Sequence, residues 1–162
     1  MTDAPTTDVP TPPALTWFAS VDVQVDRPID IGTTTDGVRR VVPIRGGQVR
    51  GDGWHGTVLD AGADFQQYSS PSTAYLVASY VLEIDGGPRL LVENRALRHG
   101  SPEALERLVK GETVAPEEIY FRCVPRITAP EESDLAWVNS RLFIGTGTRL
   151  PDRVQLEFFT VE

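Results

Sequence analysis

Apolar and polar positions alternate with a period of two through most of this chain. Trp17, Ala19, Val21, Val23 and Val25 take turns with Thr16, Phe18, Ser20, Asp22 and Gln24, the pattern of a strand with one buried face. Val38 to Ile44 is rich in β-branched residues and runs into Gly46-Gly47, and His55 to Leu59 is a short strand between glycines. Tyr75 to Ile84 is the longest such segment: its even positions, Leu76, Ala78, Tyr80, Leu82 and Ile84, are apolar, and Asp85-Gly86-Gly87 marks a tight turn into Leu90 to Arg95. Ile119 to Val124, Trp137 to Ile144 and Val154 to Val161 bring the count to about eight strands.

Only one segment reads as a helix. Ser101 is a natural N-cap, Pro102 suits the first helical position, and Glu103 places an acid in the first turn. Leu105, Leu108 and Val109 share a face, Glu106 can pair with Lys110, and Gly111 stops the helix, so it spans 101–110. Many strands, no alternation of strand and helix, and one short helix define an all-β fold. Several strands are apolar on both faces, which calls for a covered wall. A single closed antiparallel barrel, with the helix at its mouth or side, satisfies this and leaves no free sheet edges.

The chain has 162 residues, within the range of one domain. Residues 1–14 carry four prolines and four threonines and no apolar run, so they read as an extended tail ahead of a barrel domain at 15–162. The tail lacks the basic and apolar regions of a secretory signal, and no stretch is long enough to span a bilayer. With one cysteine, the expectation is a cytoplasmic protein without a disulfide. A net charge of −8 argues against nucleic acid and anionic membranes as partners and leaves a small molecule, with homo-oligomer formation open.

Candidate chemistry is sparse. Gly51-Asp52-Gly53-Trp54-His55-Gly56 fits the dinucleotide-binding spacing, but a strand and not a helix follows it, so it reads as a glycine-rich turn and no cofactor is expected. His55, Asp60, Asp64, His99 and Cys123 have no metal-ligand spacing, and no metal is expected. Cys123, mid-strand, reads as a buried inert thiol. Three patches stand out. Asp64, within Gly62-Ala63-Asp64-Phe65, is either a carboxyl lodged in an apolar pocket, able to act as acid or base, or an Asp closing its own loop. Tyr120 and Arg122 share a strand face and form a donor pair for an oxyanion, or else lie along an outer wall. Trp137 and Asn139, with Arg141 beyond them, offer an apolar wall and an amide to a ligand, or a core tryptophan. Tyr80, Glu93 and Asn94 are further candidates, with Glu93 also suited to a cross-strand ion pair.

These pieces, in this order, resemble the DUF3237 family, also labelled UPF0311. The carriers are Arg39-Arg40-Val41-Val42-Pro43-Ile44-Arg45-Gly46-Gly47, Gly51-Asp52-Gly53 and Gly62-Ala63-Asp64. Tyr80 before Asp85-Gly86, Tyr120-Phe121-Arg122 with Pro125, and Trp137-Val138-Asn139 before Phe143-Ile144-Gly145-Thr146-Gly147 complete them. The chain departs from the usual pattern at Phe65, Pro71-Ser72 and Val138. The resemblance implies a barrel with a cavity and no settled reaction. The reading that follows is a cofactor-independent enzyme of isomerase, cyclase, lyase or hydrolase type, acting on an aromatic or polyketide-like metabolite. Asp64, Tyr120 and Arg122 would be catalytic, with Tyr80, Asn94, Trp137 and Asn139 binding substrate. The alternative is a non-catalytic barrel that binds a small molecule.

Overall fold

A computed structural model describes residues 9–162. Of the expected tail, residues 1–8 lie outside the described residues, and residues 9–14 are exposed and without regular structure. Nine strands follow: β1 (Leu15–Val25), β2 (Ile29–Thr34), β3 (Gly37–Gly51), β4 (Trp54–Ser70), β5 (Thr73–Ile84), β6 (Arg89–Gly100), β7 (Ile119–Thr128), β8 (Phe143–Arg149) and β9 (Arg153–Val161). Helix α1 (Pro102–Val109) joins β6 to β7, its N-cap Ser101 accepting from the Ala104 amide at 3.1 Å.

Every neighbouring pair is antiparallel. The ladder runs β1-β9-β8-β7-β6-β5-β4-β3, and β1 then pairs with β3 to close an eight-stranded barrel. Strand β2 is the ninth. It continues along β3 beyond the point where β1 ends, with Ile29 opposite Val41 and Thr34 opposite Gly37. The chain passes from β1 to β2 through Asp26-Arg27-Pro28, where the missing proline amide breaks the ladder.

One residue in two points inward on each strand, and these form the core: Val21 and Val23 from β1, Leu76, Tyr80 and Leu82 from β5, Leu90 and Val92 from β6, Ile127 from β7 and Phe158 from β9 are all under 5% exposed. In β1 the phase changes at a bulge between Trp17 and Ala19, so Phe18 and Ala19 are both buried. One end of the barrel is plugged by aromatic rings. Phe18 packs at 5.0 Å from Phe143 and 5.5 Å from both Trp54 and Trp137. At the opposite end lies α1, whose Ala104 and Leu108 pack on Val114 and Ile119.

Three sequence-based boundaries shift. Trp137 to Ile144 is not one strand: Ala136–Ser140 is a 3-10 turn, and β8 starts at Phe143. Bonds from Ala136 to Ser133 and from Val138 to Leu135 hold that turn, and the spacing of three brings Val138 inward. Strand β2 was not foreseen, because its Ile29 and Ile31 are exposed and give no buried face to detect. His55 to Leu59 is only the start of β4, which bends at a break in pairing between Val58 and Gly62 and runs on to Ser70.

Candidate functional site

The barrel interior is apolar over most of its length and polar near the α1 end. Strand register sets the polar side chains in rows. Tyr68, Ala74, Arg98 and Phe121 are successive partners across β4 to β7. The next row is Arg40, Gln66, Leu76, Ala96 and Cys123, and the one below is Val42, Asp64, Ala78 and Asn94. Tyr80 follows one inward step deeper, opposite Gly62. A Cβ at Gly62 would stand 2.3 Å from the Ser79 carbonyl oxygen, so only glycine lets the two strands approach here.

These residues surround a cavity of about 50 Å³, lined by Asp64, Gln66, Tyr80, Asn94, Arg98 and Arg149 among apolar neighbours such as Val23, Val42, Leu76, Phe121 and Leu156. Gln66 stands at the centre of the network. Its Nε2 donates to Asp64 Oδ2 at 2.6 Å, and its Oε1 accepts from Arg40 Nε at 2.6 Å. The Tyr68 hydroxyl accepts from Arg40 Nη2 at 2.9 Å and from Arg98 Nη2 at 2.6 Å. Arg40 and Arg98 also lie over the Tyr68 ring, and Arg98 over Phe121. Among the described residues, four buried side-chain polar atoms have no hydrogen-bond partner: Asp64 Oδ1, the Tyr80 hydroxyl oxygen, Asn94 Oδ1 and Arg98 Nε. All four belong to residues that line this cavity.

Burial dominates the electrostatics. It raises the Asp64 pKa above the ordinary carboxylate range, opposed by the Gln66 hydrogen bond and the charges of Arg98, Arg40 and Arg149. Burial also raises the Tyr80 phenol and pushes the Cys123 thiol up to about 11. Arg149 is lowered to about 10 by burial and then by its neighbours Arg98 and Arg40. No three of His, Cys, Asp and Glu converge among the described residues.

The residues proposed from sequence divide in two. Asp64, Tyr80 and Asn94 come together in the cavity, with Asp64 inside a strand and bonded to Gln66, not closing a loop. Tyr120 and Arg122 do not join them. In β7 the inward positions are Phe121, Cys123, Pro125 and Ile127, so Tyr120 and Arg122 face outward, and Arg122 lies over the Tyr120 ring at 5.0 Å. Trp137 belongs to the aromatic plug at the far end. Asn139 fastens its loop, accepting from the Ala129 amide at 2.8 Å and donating to the Ala129 carbonyl at 3.0 Å. Glu93 pairs across the strand with Arg126 at 3.8 Å, on the outer face. Arg40, Gln66, Tyr68, Arg98 and Arg149 were missed. Arg98 could have been found by carrying the inward phase of Leu90, Val92 and Asn94 four residues on.

Fold and site together define a small closed antiparallel barrel whose interior holds a carboxyl and a set of arginines. The chain belongs to the DUF3237 family, a family of proteins of unknown function, which matches residues 13–161. A UPF0311 protein of Rhodopseudomonas palustris is 42% identical over 132 residues, covering 82% of this chain and 84% of the relative. The crystal structure of a conserved protein of unknown function from the same species superposes with a TM-score of 0.89 at 36% identity, covering 95% of this chain and all of that one. A structure described as an enzyme from Penicillium herquei shares the fold at 18% identity, with a TM-score of 0.70 over 96% of this chain and 98% of its own. None of the helices among the described residues is long and apolar enough to cross a membrane.

Proposed function

We propose that this barrel is an enzyme that moves a proton on a small, largely apolar organic molecule, using its own side chains. Asp64 is the acid or base. The observation that carries the reading is its carboxyl: it lines the cavity, one oxygen is fixed by Gln66, and the other is buried without a partner. A carboxyl whose neutral form is favoured by burial can hold or accept a proton closer to neutrality than a surface Asp. A barrel that only stores a ligand has no need of such a group.

The step follows from the arrangement. Gln66 holds the carboxyl so that Oδ1 faces the bound molecule. Asp64 takes a proton from an acidic position of the substrate, and the negative charge left there is faced by the guanidinium groups of Arg98 and Arg149. Return of the proton to another atom completes an isomerisation, a ring closure or an elimination. Tyr80 and Asn94, with their unpaired oxygens, orient the substrate. The apolar lining, around only about 50 Å³, suits a small apolar group of an aromatic or polyketide-like metabolite and not its whole body, and the likeness to the Penicillium enzyme adds only that this fold can host chemistry.

The test is Asp64→Asn. Metabolites retained by the protein are identified by native mass spectrometry, and turnover of the captured compound is then measured. Loss of about 10²–10⁴-fold in rate with binding retained is expected. An Asp64 carboxyl that titrates in the ordinary range by ¹³C NMR, or full turnover by Asp64→Asn, overturns the assignment.

A further inference from the structure

Two sets among the fourteen arginines of this protein stand in contrast. Arg39, Arg45, Arg89, Arg107, Arg126 and Arg153 each have a carboxylate partner at the surface. Arg40, Arg98 and Arg149 have no such salt bridge among the described residues, yet Arg98 is 1% exposed and Arg40 5% exposed. Buried charges are ordinarily paired, because taking an ion out of water is expensive. Here three guanidinium groups lie close together without a carboxylate partner; of the acids around them, Asp64 has its charged form disfavoured by burial, while Asp30 lies near Arg40 and Asp152 near Arg149 without forming a salt bridge to either.

Their hydrogen bonds show what they are kept for. Arg40 is held by Gln66 and Tyr68, and Arg98 by Tyr68. Arg149 Nη1 donates to the carbonyl oxygens of Leu150 and Arg153. Each is braced by a neutral acceptor that fixes the group without cancelling its charge, and Arg98 Nε is left free. Outside them, at the α1 end, a depression of about 500 Å³ is lined by Arg40 and Arg149 with Arg27 and Lys110. It shares Arg149 and Val25 with the inner cavity, so the two adjoin. Its two carboxylates, Asp26 and Asp152, are occupied by Arg45 at 3.1 Å and Arg153 at 3.2 Å, outside the lining. Lys110 is likewise paired, with Glu106 at 2.8 Å, so Arg27, Arg40 and Arg149 are the cations of this entrance without a salt bridge among the described residues.

We infer that Arg40, Arg98 and Arg149 form an oxyanion-binding subsite at the mouth of the barrel, and that the molecule it takes is a small organic acid, carboxylate or phosphate, with an apolar body. The anionic head supplies the missing counter-charge, a guanidinium edge meeting two of its oxygens. The apolar body then lies along Val23, Val42 and Leu156. The inference deepens the proton-transfer reading, which fixes what is done, by naming the substrate's charge.

Calorimetric titration with benzoate, phenyl phosphate and neutral benzamide tests it at low and high salt. At least one anion should bind about tenfold to a hundredfold more tightly than benzamide, the worth of a charge-assisted hydrogen bond. Which anion wins tells carboxylate from phosphate. Its affinity should fall by a similar factor in Arg149→Gln and survive in Asp64→Asn. Equal binding of benzamide and both anions, no binding of either anion, or undiminished anion binding by Arg149→Gln overturns the subsite. The wild-type comparison decides alone where the variant does not fold. Anion binding with an Asp64 that titrates normally keeps the subsite and removes the proton-transfer reading, and a raised Asp64 without anion binding does the reverse.

Discussion

Replacing Tyr80 by Phe should make the protein more stable. The side chain is 2% exposed, and its hydroxyl has no hydrogen-bond partner. An unsatisfied buried polar group costs about 1–3 kcal/mol relative to leaving it in water. Tyr80→Phe removes that cost and keeps the ring, so packing against the surrounding Leu and Val residues is unchanged. The void left by one oxygen takes back a few tenths of a kcal/mol, at about 24 cal/mol per Å³. The net gain is about 1–2.5 kcal/mol, or a rise in Tm of about 3–8 °C for a domain of this size. Urea unfolding at neutral pH measures it: the midpoint moves up while the slope stays the same, since the surface exposed on unfolding does not change. A midpoint that moves down would refute the reasoning, because it would mean that the hydroxyl is bonded in the free protein. The same variant should bind the substrate more weakly, since natural proteins keep an orphaned group where a ligand satisfies it.

Two further outcomes follow from the cavity. Gly147→Ala places a Cβ 2.7 Å from the Phe121 ring, which underlies Arg98, and should cost about 1–3 kcal/mol, seen as a lower Tm by calorimetry. An unchanged Tm would show that the ring swings aside freely. Because the Asp64 pKa is raised on folding, the folded state holds its proton more firmly than the unfolded chain. Stability should therefore decline as pH rises from the ordinary carboxylate range through the raised value, and Asp64→Asn should remove that component of the profile. Superimposable stability–pH curves for the two proteins would contradict this.

The fold was legible because period-two alternation is written by burial, and burial is what closes a barrel. It failed where that force is absent: β2 has no inward face, and the loop holding Trp137 follows a period of three. The site was half legible. Tyr80 and Asn94 lie on strands whose neighbours announce the inward phase, whereas Asp64 was singled out by its small and aromatic neighbours, since its strand was expected to end at Leu59. Tyr120 and Arg122 looked inward because a phenol beside a guanidinium suggests chemistry, but Phe121 and Cys123 claim the interior of β7, and one residue of offset reverses every side chain. Arg98 stood beyond the expected end of its strand. Arginines are assumed to be outside, so sequence alone hides the ones that matter here.

The pairing of β1 with β9 places Leu15 opposite Val161, and the Glu162 amide donates to the Ala14 carbonyl at 2.9 Å. The seam between the first and last strands thus joins residues farther apart in sequence than any other strand pair of the barrel. A short linker from 162 back to 14, with new ends cut in the Asp85-Gly86-Gly87 turn, would convert that closing seam into a hairpin. The β5–β6 hairpin would become the long-range contact in its place. The arginine end lies across the barrel from both the cut and the linker, so the circularly permuted chain would alter the order of assembly and leave the mouth intact.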